Sequence, residues 1–144
     1  MVDFDEHIAR ALIARHAARE GPLLPILHDL QAEFGWIPEE AVRLVAHVLN
    51  LSRAEVHGVV SFYHDFRDAP EPRPVLKLCR AESCQARGAD ALAVHAEAVA
   101  GDRIAIETVY CLGLCSVGPN ALTGRDHLHA RLDAGAIDAL VAAL

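Results

Sequence analysis

Four cysteines, and only four, occur in this 144-residue chain, and they come as two close pairs. Four residues separate Cys79 from Cys84, three separate Cys111 from Cys115, and 26 lie between the pairs. The second pair sits in the stretch YCLGLCSVGP, which carries Gly113 and Gly118. Two cysteines this close are open to four explanations: a disulfide, half of a metal site, a redox-active dithiol, or chance. The residues between the pairs narrow the choice.

Val75-Leu76-Lys77-Leu78 is a short β-type run that ends at Cys79. Ala89, Leu92, Ala93, Ala96 and Ala100 recur at helical spacing, which predicts a helix over 86–100. Gly101-Asp102 then turns the chain, and Ile104 to Val109 predicts a second strand. A hairpin around Gly124-Arg125-Asp126 and a last helix, with Ile137, Leu140, Val141 and Leu144 on one face, complete the order β-α-β-loop-β-β-α. If the first two strands are parallel, the helix is a crossover, and both strands end at the same edge of the sheet. Cys79 closes the first strand, and Cys111 lies two residues past the second. Cys84 precedes the helix and Cys115 lies one loop further on. Four thiols are therefore expected at one exposed corner.

Four converging thiolates select an iron–sulfur cluster or zinc. Zinc sites favour tight C-x2-C knuckles, which this chain lacks, although looser spacings occur. A [2Fe–2S] cluster needs two thiolates on each iron, so two looser pairs suit it, and the helix start beside Cys84 favours an anion. Two further readings stay open. A buried inert cysteine is common, but it explains one residue better than four in loops. A Cys111–Cys115 disulfide would be labile in a reducing compartment, and the C-x-x-C of thiol exchangers is absent.

Charge and hydropathy exclude other classes. Twenty acidic residues against 13 basic give a net charge of −7, unfavourable for binding nucleic acid. The acidic start MVDFDEH has no secretory-signal pattern, and no window approaches the roughly 18 apolar residues of a membrane span. The expected location is cytoplasmic, without direct membrane contact.

The first half follows helical periodicity. Phe4, Ile8, Ala11 and Leu12 share a face, with Gly21-Pro22 as the expected stop. Leu23, Ile26, Leu27, Leu30 and Phe34 form the next stripe, ending at Gly35. Pro38-Glu39-Glu40 predicts a third helix start. Ser52-Arg53-Ala54-Glu55 is a capping-box pattern that opens a fourth helix through about Val60. Three prolines in Asp68–Pro74 then break the chain. The expected fold class is α+β, with an N-terminal helical bundle over 1–70 and a second domain over 74–144.

The segments LCRAESCQARGADAL and IAIETVYCLGLCSVGPNA resemble the 24-kDa subunit family of respiratory complex I, thioredoxin-like [2Fe–2S] ferredoxins preceded by a helical domain. The run from Leu23 to Phe66 is similar to that family's helical region. The resemblance implies one [2Fe–2S] cluster, with Cys79 and Cys84 on one iron and Cys111 and Cys115 on the other. HGVVSFYHDFR and KLCRAESCQARGAD look closest to the gamma subunit of NAD-dependent molybdenum formate dehydrogenases. This implies an electron-transfer subunit that is not catalytic alone. Its partners would be a beta subunit binding FMN and NAD and a large alpha subunit holding a molybdenum cofactor and further iron–sulfur clusters. Equivalent subunits of complex I and of NAD-coupled hydrogenases share the pattern. The chain itself has no G-x-G-x-x-G or P-loop for a nucleotide. From a different class, a zinc-stabilised adaptor remains the alternative.

Overall fold

Asp5 caps the first helix by accepting the main-chain N–H groups of His7 (2.8 Å) and Ile8 (3.1 Å), so α1 runs over Glu6–His16. The computed structural model describes residues 3–144, and the chain divides into two units, Met1–Pro72 and Arg73–Leu144.

In the first unit α1 stops five residues short of Gly21. The N–H of Arg19 donates to His16 O at 2.9 Å and tightens the chain into a turn before the glycine is reached. Helices α2 (Leu23–Phe34), α3 (Glu39–Leu49) and α4 (Arg53–Phe62) follow. Gly35, at φ +83°, ends α2 in a left-handed conformation that costs glycine nothing. Ser52 and Glu55 form the expected reciprocal capping box, and α4 extends two residues beyond the predicted Val60. The apolar stripes meet in one core: Ile26, Leu27, Leu30, Val45 and Val56 are fully buried, with Ile13 almost so. The chain leaving α4 folds back on α2, where Gln31 donates to Asp65 O (2.6 Å) and accepts from Arg67 N (2.7 Å). No described helix is long and apolar enough to cross a membrane.

The second unit is a four-stranded sheet in the order β2-β1-β3-β4, with β1 Val75–Cys79, β2 Ala105–Val109, β3 Ala121–Thr123 and β4 His127–His129. β1 and β2 are parallel, in a register that pairs Val75 with Ala105 and Cys79 with Val109. β3 pairs antiparallel with both β1 and β4. The crossover departs from expectation: a one-turn α5 (Glu82–Gln85) is followed by a break, and α6 covers Ala89–Ala100. Gly88, at φ +90°, makes that break, a conformation in which a side chain would be strained. Cys84 therefore lies inside one short turn, and the long helix begins five residues later. α7 (Ala134–Ala143) is capped by Asp133 and tied to α6 through His95 and Asp138, 2.7 Å apart. Leu76, Ala96, Ala121 and Ile137 are the fully buried centre of the core.

Glu55 sets a pH dependence for the helical unit. The Ser52 main-chain N–H and hydroxyl hold its carboxyl below the usual carboxylate range. A lowered folded pKa gives stability that is present above the unfolded value, about 4.3, and is lost as pH falls through the folded one. Denaturant unfolding at a series of acidic pH values is expected to show that loss, and Ser52→Ala, which removes the hydroxyl but keeps the main-chain N–H, to reduce it in part.

Candidate metal centre

The β1–β2 register builds the site. Since Cys79 pairs with Val109, the two parallel strands end level, and the N–H of Arg80 donates to Val109 O at 2.9 Å. Two residues later Cys111 turns back over Cys79, and its main-chain N–H donates to Cys79 Sγ at 3.3 Å. This turn puts Cys111 at φ +70°, in the left-handed region that a β-carbon disfavours. Strain of this kind persists where surrounding contacts fix it, and it clusters at functional sites.

Cys79 and Cys84 are buried, 2% and 1% exposed, whereas Cys111 and Cys115 are exposed. The exposed thiols stand 3.5 Å apart, with Cys115 opening the 3-10 turn Cys115–Val117. Burial pushes the Cys79 thiol up, but the N–H groups of Ala81, Cys111 and Leu112, with the Cys84 thiol, outweigh it and leave the group below the ordinary thiol range. Cys84 is pushed up, first by burial and then by the neighbouring Cys79 thiol, with an Asn120 hydrogen bond acting the other way. Cys115 is raised chiefly by the Cys111 thiol beside it. Cys115 also feels Cys79, and Cys84 feels Cys115, so the two pairs lie within electrostatic range of each other.

Three side chains that the sequence did not single out, together with Gly118, complete the surroundings. Asn120 precedes β3 and is 2% exposed; its Nδ2 lies 3.6 Å from Cys84 Sγ and donates to Leu114 O at 2.8 Å. Its Oδ1 is buried without a protein partner. The hydroxyl of Ser83 donates to Cys115 O, and Arg87 Nη1 donates to Ser116 O, each at 2.8 Å. At Gly118 a β-carbon would stand 3.0 Å from Cys84 Sγ, too near for a rigid neighbour to accommodate. The one local signal for Asn120 is its position just past the second pair. Ser83 and Arg87 act over about 30 residues of sequence, and nothing local marks them.

All four cysteines are thus brought to one end of the sheet, as two pairs. Two thiol pairs, amide N–H groups aimed at a sulfur and a close approach of the Gly118 backbone to Cys84 fit a two-iron cluster.

Comparisons with known proteins agree with this geometry. The family described as thioredoxin-like [2Fe–2S] ferredoxin matches residues 9–144, so it takes in most of the helical unit as well as the cysteines. A component of the NADH-quinone oxidoreductase of Rhizobium meliloti is 34% identical over 140 residues, covering 91% of this chain and 83% of the relative. The HndA subunit of the NADP-reducing hydrogenase of Solidesulfovibrio fructosivorans is 33% identical over 116 residues, covering 74% and 67%. Among solved structures, an air-oxidized NAD+-reducing [NiFe]-hydrogenase matches with a TM-score of 0.70 and 27% identity over 83% of this chain. That match spans only 22% of the hydrogenase chain. The chain belongs to the thioredoxin-like [2Fe–2S] ferredoxins, a family whose members bind one [2Fe–2S] cluster.

Proposed function

We propose that this chain is the electron-transfer subunit of an NAD-coupled oxidoreductase, with Cys79 and Cys84 holding one iron of its cluster and Cys111 and Cys115 the other. The observation that carries the proposal is the convergence of two thiol pairs at the level ends of β1 and β2. When bound, the cluster takes up and returns one electron at a time. The chain's own residues do three things. The four thiolates ligate, and buried Cys79 and Cys84 keep water from half of the site. The N–H groups of Ala81, Cys111 and Leu112 offset negative charge at the Cys79 sulfur. The second pair, exposed on the loop, leaves one side open to a redox partner.

That partner is a subunit binding FMN and NAD, and the helical unit is its docking surface. Phe62 is 74% exposed and Tyr63 43%, beside a cleft of about 540 Å³ lined by Trp36, His57, Tyr63 and Phe66. The whole assembly, in this proposal, oxidises formate with NAD+ in the cytoplasm, with molybdenum in a large subunit. The support for formate is the resemblance of HGVVSFYHDFR and KLCRAESCQARGAD to formate dehydrogenase gamma subunits. The two relatives named above belong, by their names, to a quinone reductase and a hydrogenase.

Anaerobically prepared protein is expected to be brown, with two iron and two labile sulfide per chain as the [2Fe–2S] formula requires. Cys115→Ser should lose or strongly alter its spectrum while the far-UV circular dichroism of the helices persists. A colourless protein holding one zinc would instead favour the adaptor. Affinity purification from the native cell is expected to bring down a molybdenum subunit together with a flavin subunit; a nickel subunit would point to hydrogen and a membrane arm to quinone. In the same pull-down, Phe62→Asp should release the flavin subunit and leave the cluster spectrum unchanged.

A further inference from the structure

We infer that Arg87 is a positioning residue for the cluster, tying the Cys115 loop to the Cys84 segment and supplying an uncompensated positive charge at its rim. This rests on the cluster assignment above.

The geometry has two parts. Arg87 stands three residues after Cys84, and its main-chain N–H donates to Cys84 O at 3.1 Å, so its backbone is fixed to the segment that carries the first pair. Its side chain crosses to the second pair's loop. Nη1 donates to Ser116 O at 2.8 Å and reaches Gly118 O at 3.5 Å. The stem passes close to the cradle: a β-carbon built on Gly118 would lie 3.7 Å from Arg87 Cδ and 3.0 Å from Cys84 Sγ. One side chain therefore links the segment that carries Cys84 to the loop that carries Cys115, near the close approach of Gly118 to Cys84. Ser83 Oγ on Cys115 O and Asn120 Nδ2 on Leu114 O hold neighbouring carbonyls of the same loop. With Arg87, main-chain oxygens of residues 114, 115 and 116 are all engaged by side chains. A guanidinium suits this role because its planar fork presents several donors at once, which a lysine ammonium cannot match in geometry.

The second part is charge. Arg80, another arginine near the site, follows Cys79 and directs its Nε at Asp90 Oδ1, 2.9 Å away, so its charge is balanced. Arg87 binds carbonyl oxygens, and among the described residues no carboxylate neutralises it. A four-thiolate cluster is anionic and gains another negative charge on reduction, so a nearby unbalanced cation favours the reduced form. Because Arg87 is an exposed residue, the effect is modest and screened by salt.

Arg87→Lys and Arg87→Met separate the two parts. The full-length chain is reconstituted with ferrous iron and sulfide under anaerobic conditions. It is then followed by an EPR-monitored redox titration and by the rate at which a ferrous chelator removes iron. At low ionic strength Arg87→Met is expected to lower the ratio of reduced to oxidised cluster at a fixed potential by about two- to fivefold, the range of an exposed charge interaction, and salt should shrink the difference. Arg87→Lys should keep that ratio near wild type. Both variants should lose iron to the chelator several-fold faster, since neither restores the bond to Ser116 O.

A ratio unchanged in Arg87→Met overturns the charge part, and iron loss at the wild-type rate in both variants overturns the tie. An Arg87→Met chain that fails to fold, judged by circular dichroism, leaves Arg87→Lys to decide the tie; Arg87→Gln, with an uncharged polar head, then decides the charge. A wild-type chain that takes up no iron overturns the cluster assignment, and this inference falls with it.

Discussion

The parallel pairing of β1 with β2 is the constraint on which the rest of the site depends. Cys79 lies opposite Val109, the last residue of β2. With the strands ending level, two further residues carry Cys111 back over Cys79, close enough for its N–H to reach the sulfur. A slip of one residue would turn Leu76 and Leu78 away from the core they fill and would turn Cys79, which points to the opposite face, away from the cluster it forms with Cys84 and Ala89. Burial of those leucines therefore fixes the position of a thiol that takes no part in the same core. The apolar pattern and the proposed metal chemistry are linked through the two-residue period of one strand.

That link explains how much could be read from sequence. The four helices before the proline-rich break and the two strands that flank the crossover follow from periodicities within a dozen residues. The corner where the cysteines meet follows once those strands are taken as parallel. Two features do not. The helix expected over 86–100 begins three residues late, at Ala89, because Gly88 turns the chain at φ +90°, and a separate one-turn helix, Glu82–Gln85, precedes the turn. The cost of the break falls on a position where glycine adopts it freely. The stop of α1 at His16 is hidden for a related reason: Gly21 is the terminator that residue type suggests, while the deciding bond is Arg19 N to His16 O.

The side chains around the thiols are illegible for a different reason. Ser83, Arg87 and Asn120 are ordinary loop residues by type, and each acts through a carbonyl or sulfur brought near by folding. Asn120 is the clearest case. Its place beside Cys84 follows from the antiparallel pairing of β3 with β1, in which Leu78 faces Ala121 and Cys79 N donates to Asn120 O at 2.9 Å. Only after strand order is known does an asparagine following a proline become a neighbour of a thiol 36 residues away.

The two thiol pairs are stabilised by different means, and the difference follows from burial. Solvent cannot reach Cys79 and Cys84, so the sulfurs themselves must receive donors, and main-chain N–H groups and Asn120 supply them. Cys111 and Cys115 are exposed, and solvent can meet their charge, but an exposed loop has nothing packed over it to hold its shape. Its order comes instead from bonds to its carbonyl oxygens, made by Ser83, Arg87 and Asn120. Those bonds touch no sulfur on the exposed pair, so they fix where its thiols stand without covering them. A site built from four cysteines can in this way be held on both sides and still remain open on one.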